Sequence, residues 1–267
     1  MLLDKSDFDS LLAFKPEVIE FYNYPSSELP SIENFCQQHQ IKIALHTPTP
    51  YDRPEPLRRF APTGPDLEEA RIARELALAT VRAAARVGAL HAVVHFPTPY
   101  VDFDEIIEDR VIDAFLDPLA NEAQKLNVRV LLENLSSHPT FHLPEHYAAL
   151  LDRYEGLEFC LDFGHAAQLG ELASISDFVT QLGPKIRSCH VYNRNSNTGR
   201  GHIPVHPDQE PRDGWMDIPA VVNDLLRRGK VATWIMEPDP QRPENLPHAQ
   251  AGAEWFRTLV TNTTSTA

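Results

Sequence analysis

Short apolar runs alternate with stretches of helical period along this chain. The strand-like runs are EVIEF (17–21), IKIALH (41–46), LHAVVH (90–95), VRVLLEN (128–134), LEFCLDF (157–163), IRSCHVYN (186–193) and VATWIME (231–237). Each is short and rich in β-branched or aromatic residues, the pattern of strands buried on both faces. The clearest helical stretch spans 66–87, where Ala73, Leu76, Ala77, Thr80, Ala84 and Val87 share one face and Gly88 follows the end. Further helices are expected over 104–126, 144–153, 174–182, 218–228 and 244–261, with Ser31 and Asp66 as N-caps.

This alternation implies right-handed βαβ units and a parallel sheet, closed as a TIM (β/α) barrel or open and doubly wound. The barrel is favoured because nearly every run ends on His, Glu or Asp, and barrel enzymes gather their chemistry at the C-terminal ends of strands. Seven strands are convincing, preceded by the helix-like DKSDFDSLL (4–12). Either MLL is a vestigial first strand or the barrel lacks one stave, a gap that a second copy of the chain could fill in a homo-oligomer. No linker or compositional break divides the 267 residues. The expectation is one domain over 1–261 and a disordered polar tail over 262–267.

Composition narrows the partners. Lys and Arg total 24 against 38 Asp and Glu, a net charge of −14. Such a charge repels polyanions and counts against nucleic acid as the routine partner. Cys36, Cys160 and Cys189 are too few and too scattered for a disulfide framework. MLLDKSDFDS lacks the basic and apolar regions of a secretory signal, and no apolar run approaches the roughly 18–20 residues that span a bilayer. A soluble, cytoplasmic protein without a membrane partner is expected.

His-x-Pro-Thr-Pro-Tyr occurs twice, as HTPTPY (46–51) and HFPTPY (95–100). Proline cannot donate to a sheet ladder, so each motif marks where a strand stops. His46 and His95 therefore occupy equivalent strand ends, joined in the series by Glu133, Asp162, His190 and Glu237. Any one of these alone reads most simply as a solvated loop edge. In succession, each closing a separate strand, they converge on a barrel mouth. Carboxylates buried together must share protons or bind a cation, and mixed oxygen and nitrogen donors suit Mn, Zn, Co or Mg.

Other polar features have simpler readings. His138, His142 and His146 recur every fourth residue, but Pro139 and Pro144 break any helix that would align them, so a solvated loop is expected. Arg194, Arg200 and Arg212 are surface charge, or grips for an anion at a barrel mouth. Cys160 reads as interior packing, and Tyr51 and Tyr100 as pocket walls or ordinary loop aromatics. GRGHIP lacks the third glycine of a dinucleotide loop.

In order along the chain, ALHTP, VVHF, LLEN, LDFGH, CHVYN and IMEP resemble the xylose isomerase-like TIM-barrel superfamily, over about 41–238. That superfamily holds sugar isomerases and epimerases, and the apurinic-site endonucleases of the endonuclease IV family. By resemblance to its ketose epimerases, Glu133, Asp162, His190 and Glu237 would hold one divalent metal. Glu133 and Glu237 would form the acid–base pair, and His165 would touch the substrate. Read from the residues themselves rather than from the resemblance, Arg194, Tyr51 and Tyr100 are candidate substrate contacts at the barrel mouth. The implied reaction is isomerisation or epimerisation of a small sugar or sugar-like polyol through a metal-stabilised enediolate. The endonuclease branch implies an alternative, a multinuclear zinc phosphodiester hydrolase. There His46 and His95 would bind a second metal with Glu133, and His165 a third with His202 or His206 from GRGHIPVH (199–206). The Asp-x-His pair that branch carries in this loop is missing. The acidic total and that loop favour the isomerase or epimerase.

Overall fold

The computed structural model describes residues 5–56, 59–98, 106–135, 141–170, 173–239 and 241–266. Three features of the sequence reading, MLL at the start, Tyr100 and His138, lie outside the described residues. The chain divides into two compact units, Glu17–Cys160 and the pair of segments Met1–Pro16 and Leu161–Ala267.

The unit Glu17–Cys160 repeats strand and helix in strict alternation. It contains β1 (Val18–Tyr22), α1 (Leu29–His39), β2 (Lys42–His46), α2 (Leu67–Val87), β3 (Ala92–His95), α3 (Asp109–Leu126), β4 (Val130–Glu133) and α4 (Pro144–Arg153). It also contains β5 (Leu157–Asp162) as far as Cys160. Neighbouring strands are parallel, with Tyr22 opposite His46, His46 opposite Val93, His95 opposite Glu133, and Glu133 opposite Cys160. The ends of α2 follow from local chemistry. Asp66 accepts the N–H groups of Glu68 and Glu69 at 2.8 and 3.2 Å, and Gly88 takes the left-handed conformation (φ 63°) that closes the helix. Ala73, Leu76, Ala77, Thr80 and Ala84 are buried, as the periodicity predicts.

The repeated Pro-Thr-Pro stretches are structural stitches in this unit. Both threonines are fully buried. Thr49 Oγ1 donates to the Phe21 carbonyl (3.1 Å) and accepts the Asn23 N–H (2.9 Å), tying the loop after β2 to the end of β1. Thr98 Oγ1 accepts the Thr63 N–H at 2.8 Å, and the Thr98 N–H donates to Thr63 Oγ1 at 3.0 Å, holding the 47–65 loop against the end of β3. Thr47–Pro48 and Phe96–Pro97 are both cis.

In the other unit a 3-10 helix over Phe8–Phe14 precedes the last two residues of β5, Leu161 and Asp162. Then come α5 (Phe163–Ala167), α6 (Ile175–Leu182), β6 (Ile186–Val191), β7 (Asn193–Asn195), β8 (Arg200–Ile203), α7 (Ile218–Arg228), β9 (Thr233–Met236) and α8 (Leu246–Thr266). β6 and β9 are parallel, with His190 opposite Ile235, and β7 and β8 form an antiparallel ribbon inside the long 194–217 loop. Residues 262–266, read from sequence as a disordered tail, are helical in α8. There the hydroxyls of Thr261, Thr263 and Thr264 donate to the carbonyls of Arg257, Leu259 and Val260 at 2.9, 2.9 and 3.1 Å. Threonines that return their polar groups to the helix backbone do not need a coil to satisfy them.

The seven parallel strands, β1 to β6 and then β9, follow chain order. This is the α/β sheet of a TIM barrel with seven strands among the described residues, as the count of apolar runs predicts. Strand periodicity places the chemistry. Val93, Leu131 and Cys160 pack together in the core, and His95, Glu133 and Asp162 each lie two residues further along the same strands. Side chains two apart share a face, so on β3 and β4 this apolar layer underlies His95 and Glu133. Cys160 is thus a packing residue. Among the described residues no helix is long and apolar enough to cross a membrane.

Candidate active site

In the unit Glu17–Cys160, three strand-end side chains meet. His46, His95 and Glu133 close β2, β3 and β4, and the Nε2 atoms of both histidines lie 3.0 Å from Glu133 Oε2. The imidazole rings stand edge to face at 4.7 Å. His46 is buried, Glu133 is almost wholly so at 1%, and His95 is the open side of the group. His46 Nδ1 lies 2.8 Å from the Thr47 carbonyl. A carbonyl only accepts, so Nδ1 carries the proton. His46 Nε2 can then face a carboxylate oxygen either as the second N–H of an imidazolium or as a lone pair sharing a cation with it. The donor atoms of the three residues lie within 4.8 Å of one another, a set that fits a divalent ion of nitrogen and oxygen preference. The hydrogen bond from His46 Nδ1 is the kind of outer support that orients a metal-ligating imidazole.

Tyr22, opposite His46 in the register, sets its ring edge to face against that imidazole at 5.3 Å and is 38% exposed. Beneath, Glu20 and His91 form a buried pair, His91 Nε2 to Glu20 Oε2 at 3.2 Å. None of Tyr22, Glu20 and His91 was singled out by sequence reasoning.

The remaining strand-end residues belong to the other unit. Asp162 ends β5 fully buried and caps α5, its Oδ1 accepting the His165 N–H at 2.6 Å. The same oxygen accepts the Tyr192 hydroxyl at 2.9 Å. His165 Nδ1 is 3.6 Å from Asp162 Oδ2, so His165 sits directly above the carboxylate. His190, buried near the end of β6, places Nδ1 3.3 Å from Glu237 Oε2, and Glu237 follows β9. His202 Nδ1 donates to the Glu237 carbonyl at 3.1 Å, and its ring stacks on Tyr192 at 4.0 Å.

The sequence of residues 8–259 matches the model of a family described as xylose isomerase-like TIM barrel. The chain belongs to that family. Among solved structures, L-ribulose 3-epimerase superposes with a TM-score of 0.77 at 14% identity, over 98% of this chain and 91% of that one. The IOLI protein, with a binding zinc atom, gives 0.72 at 16%, over 98% and 94%. A xylose isomerase-like TIM barrel protein from Mycobacterium smegmatis in complex with magnesium gives 0.68 at 12%, over 95% and 87%. At these identities the likeness is one of fold. No curated protein matches the sequence.

Within this xylose isomerase-like barrel the other sequence-based candidates fall differently. The trio of His165, His202 and His206 does not form a ligand group among the described residues. The rings of His165 and His202 are 6.5 Å apart, while His206 turns to Asp208 (Nδ1 to Oδ2, 3.4 Å) and to the His248 ring at 5.7 Å. Tyr51 gives its hydroxyl to the Glu55 carbonyl at 2.5 Å. Arg194 lies in β7, Arg200 pairs with Glu244, and Arg212 pairs with Glu210. His146 is not in a solvated loop but in the first turn of α4, half-buried, where its Nδ1 accepts the N–H groups of His142 and Leu143 at 3.2 and 3.3 Å. Tyr192 is the functional candidate that sequence reasoning missed. It lies two residues after His190, as CHVYN displays.

Proposed function

We propose that the protein is a metal-dependent isomerase or epimerase of a small sugar or sugar-like polyol. The observation that carries this reading is the pairing of carboxylates with imidazoles at strand ends, His190 Nδ1 3.3 Å from Glu237 Oε2 and His165 Nδ1 3.6 Å from Asp162 Oδ2, with Glu133 closing β4. It occurs in a family fold whose solved neighbours include an L-ribulose 3-epimerase. Glu133, Asp162, His190 and Glu237 are assigned to one divalent cation, Mn, Zn, Co or Mg. A cation so held would supply Lewis-acid stabilisation of negative charge on substrate oxygens, worth several kcal/mol.

The chain's own residues do the rest. Glu133 removes the proton from the carbon next to the substrate carbonyl, and Glu237 returns one, to the opposite face in epimerisation or to the neighbouring carbon in isomerisation. His165, held by its backbone bond to Asp162, hydrogen-bonds a substrate hydroxyl. The aromatic face of Tyr51 and the guanidinium of Arg194 bind the body of the substrate. Solvent deuterium incorporation into a panel of ketoses tests the assignment. Glu237→Gln should abolish incorporation while metal is retained, and unchanged exchange removes Glu237 from the acid–base role.

A second reading, the multinuclear zinc phosphodiester hydrolase, is favoured by the His46–His95–Glu133 group, which would hold a second metal. The net charge of −14 and the absence of an Asp-x-His pair in 194–217 weigh against it. Two or three equivalents of zinc per chain, with nicking of abasic duplex DNA at low salt, would reverse the ranking.

A further inference from the structure

We propose that Tyr192 and His202 act as a stacked positioning pair that sets the attitude of Asp162 and Glu237, with His202 a support rather than a metal ligand. This rests on the metal-dependent reading above.

Asp162 Oδ1 receives two donors from different directions, the His165 N–H at 2.6 Å and the Tyr192 hydroxyl at 2.9 Å. One bond would leave a carboxylate free to swing about the other axis, whereas two on the same oxygen hold its plane. The Tyr192 ring is itself confined. Gly164 abuts it, and any Cβ there would overlap the ring. The His202 ring stacks on it, nearly parallel at 21° and 4.0 Å away.

His202 is anchored in turn. It adopts a left-handed backbone (φ 51°), and its carbonyl accepts the Asp239 N–H at 2.9 Å and Asn245 Nδ2 at 3.0 Å. Its Nδ1–H donates to the Glu237 carbonyl at 3.1 Å. The two rings thus form one rigid stack whose polar tips reach the carboxylate at the end of β5 and the backbone at the end of β9. Partners that orient a metal's ligands typically matter by about 10–100-fold in metal affinity. A left-handed backbone at a non-glycine residue is uncommon and persists only where the surroundings fix it, as these bonds do here.

The test is calorimetric titration of the metal-free full chain with Mn²⁺. Tyr192→Phe keeps the stack and removes only the hydroxyl. It should weaken Mn²⁺ binding about tenfold or more, with the metal-free melting temperature unchanged. His202→Asn tolerates the left-handed backbone but cannot stack, and it should weaken affinity with the number of bound ions unchanged. Wild-type affinity in Tyr192→Phe overturns the proposal, and so does loss of a whole equivalent of metal in His202→Asn, the mark of a ligand. Should the wild type bind no divalent ion, the metal reading falls by itself. The crystal structure of metal-free Tyr192→Phe then decides the positioning role: an Asp162 carboxylate turned away from the His165 amide upholds it, and an unmoved one overturns it.

Discussion

His46 Nε2 lies 3.0 Å from Glu133 Oε2 while its Nδ1 proton is committed to the Thr47 carbonyl at 2.8 Å. A lone pair facing a carboxylate at that distance is repulsive, and either a second proton on the imidazole or a cation shared between the two removes the repulsion. A cation held by this group belongs to the second reading, on which His46→Ala and His95→Ala should each lower the metal content of the purified protein by one equivalent per chain, measured by elemental analysis. Chelation should lower the melting temperature of the wild type, and added metal should restore it, because an ion that binds only the folded chain stabilises it by mass action. Metal content unchanged in both variants would exclude this group as a ligand set.

Gly164 follows Asp162 by two in α5, against the Tyr192 ring. A methyl group there cannot coexist with the ring in its present place. Overpacking of this kind costs about 1–3 kcal/mol. Gly164→Ala should therefore lower stability in urea by that order, and should also weaken Mn²⁺ binding by displacing the Tyr192 hydroxyl from Asp162. A variant with wild-type stability and affinity would show that the ring has room to move.

Much of this site was legible because period and punctuation agree. The apolar runs, their closing acids and imidazoles, and the Asp66 and Gly88 ends of α2 all express local backbone chemistry. What remained hidden depends on pairing between distant segments. Nothing in CHVYN or GRGHIP says that Tyr192 lies on His202, since the β7–β8 ribbon that brings them together has no apolar alternation. Side-chain amides hold that ribbon instead: Asn193 Oδ1 accepts the Met216 N–H at 3.1 Å, and Asn195 Nδ2 donates to the Asp213 carbonyl at 2.9 Å. Likewise His91, Val93 and His95 share a face by period, but only the strand register reveals Glu20 as the partner of His91.

That Glu20–His91 pair is buried on both sides, with side chains 5% and 2% exposed and 3.2 Å between Oε2 and Nε2. Removing one member strands the other in the core, which costs several kcal/mol, on the order of 3–5 if the survivor stays charged. Glu20→Leu and His91→Leu should each be strongly destabilised in urea. The double variant should recover part of the loss, because two apolar groups need no partner. Singles that behave like the wild type would mean the pair contributes nothing to stability.

Cys36 is buried in α1, and burial pushes its thiol up to about 11. Cys160 and Cys189 are buried as well, and none of the three is in a disulfide. A thiol reacts through its thiolate, so the native protein at pH near 8 should be inert to a thiol-specific reagent. All three should titrate once urea unfolds the chain. Rapid modification of any one in the native state would contradict this burial.

His146 accepts two backbone N–H groups through Nδ1 at the start of α4, from His142 at 3.2 Å and Leu143 at 3.3 Å. Protonation would destroy that acceptor and place a positive charge at the positive end of a helix. Burial, the largest influence, holds the imidazole pKa below the ordinary 6.5; the nearby Glu145 pulls it up and His142 pushes it down. Because the folded value lies below the unfolded one, protons bind the unfolded chain more tightly. The contribution of His146 to stability is therefore complete above 6.5 and is lost as pH falls through the depressed folded value. The His146 ring resonance should titrate with a midpoint below 6.5. His146→Gln should flatten the decline of the urea midpoint on the acid side of neutrality. A midpoint at or above the ordinary value would show that solvent, not the helix start, governs this ring.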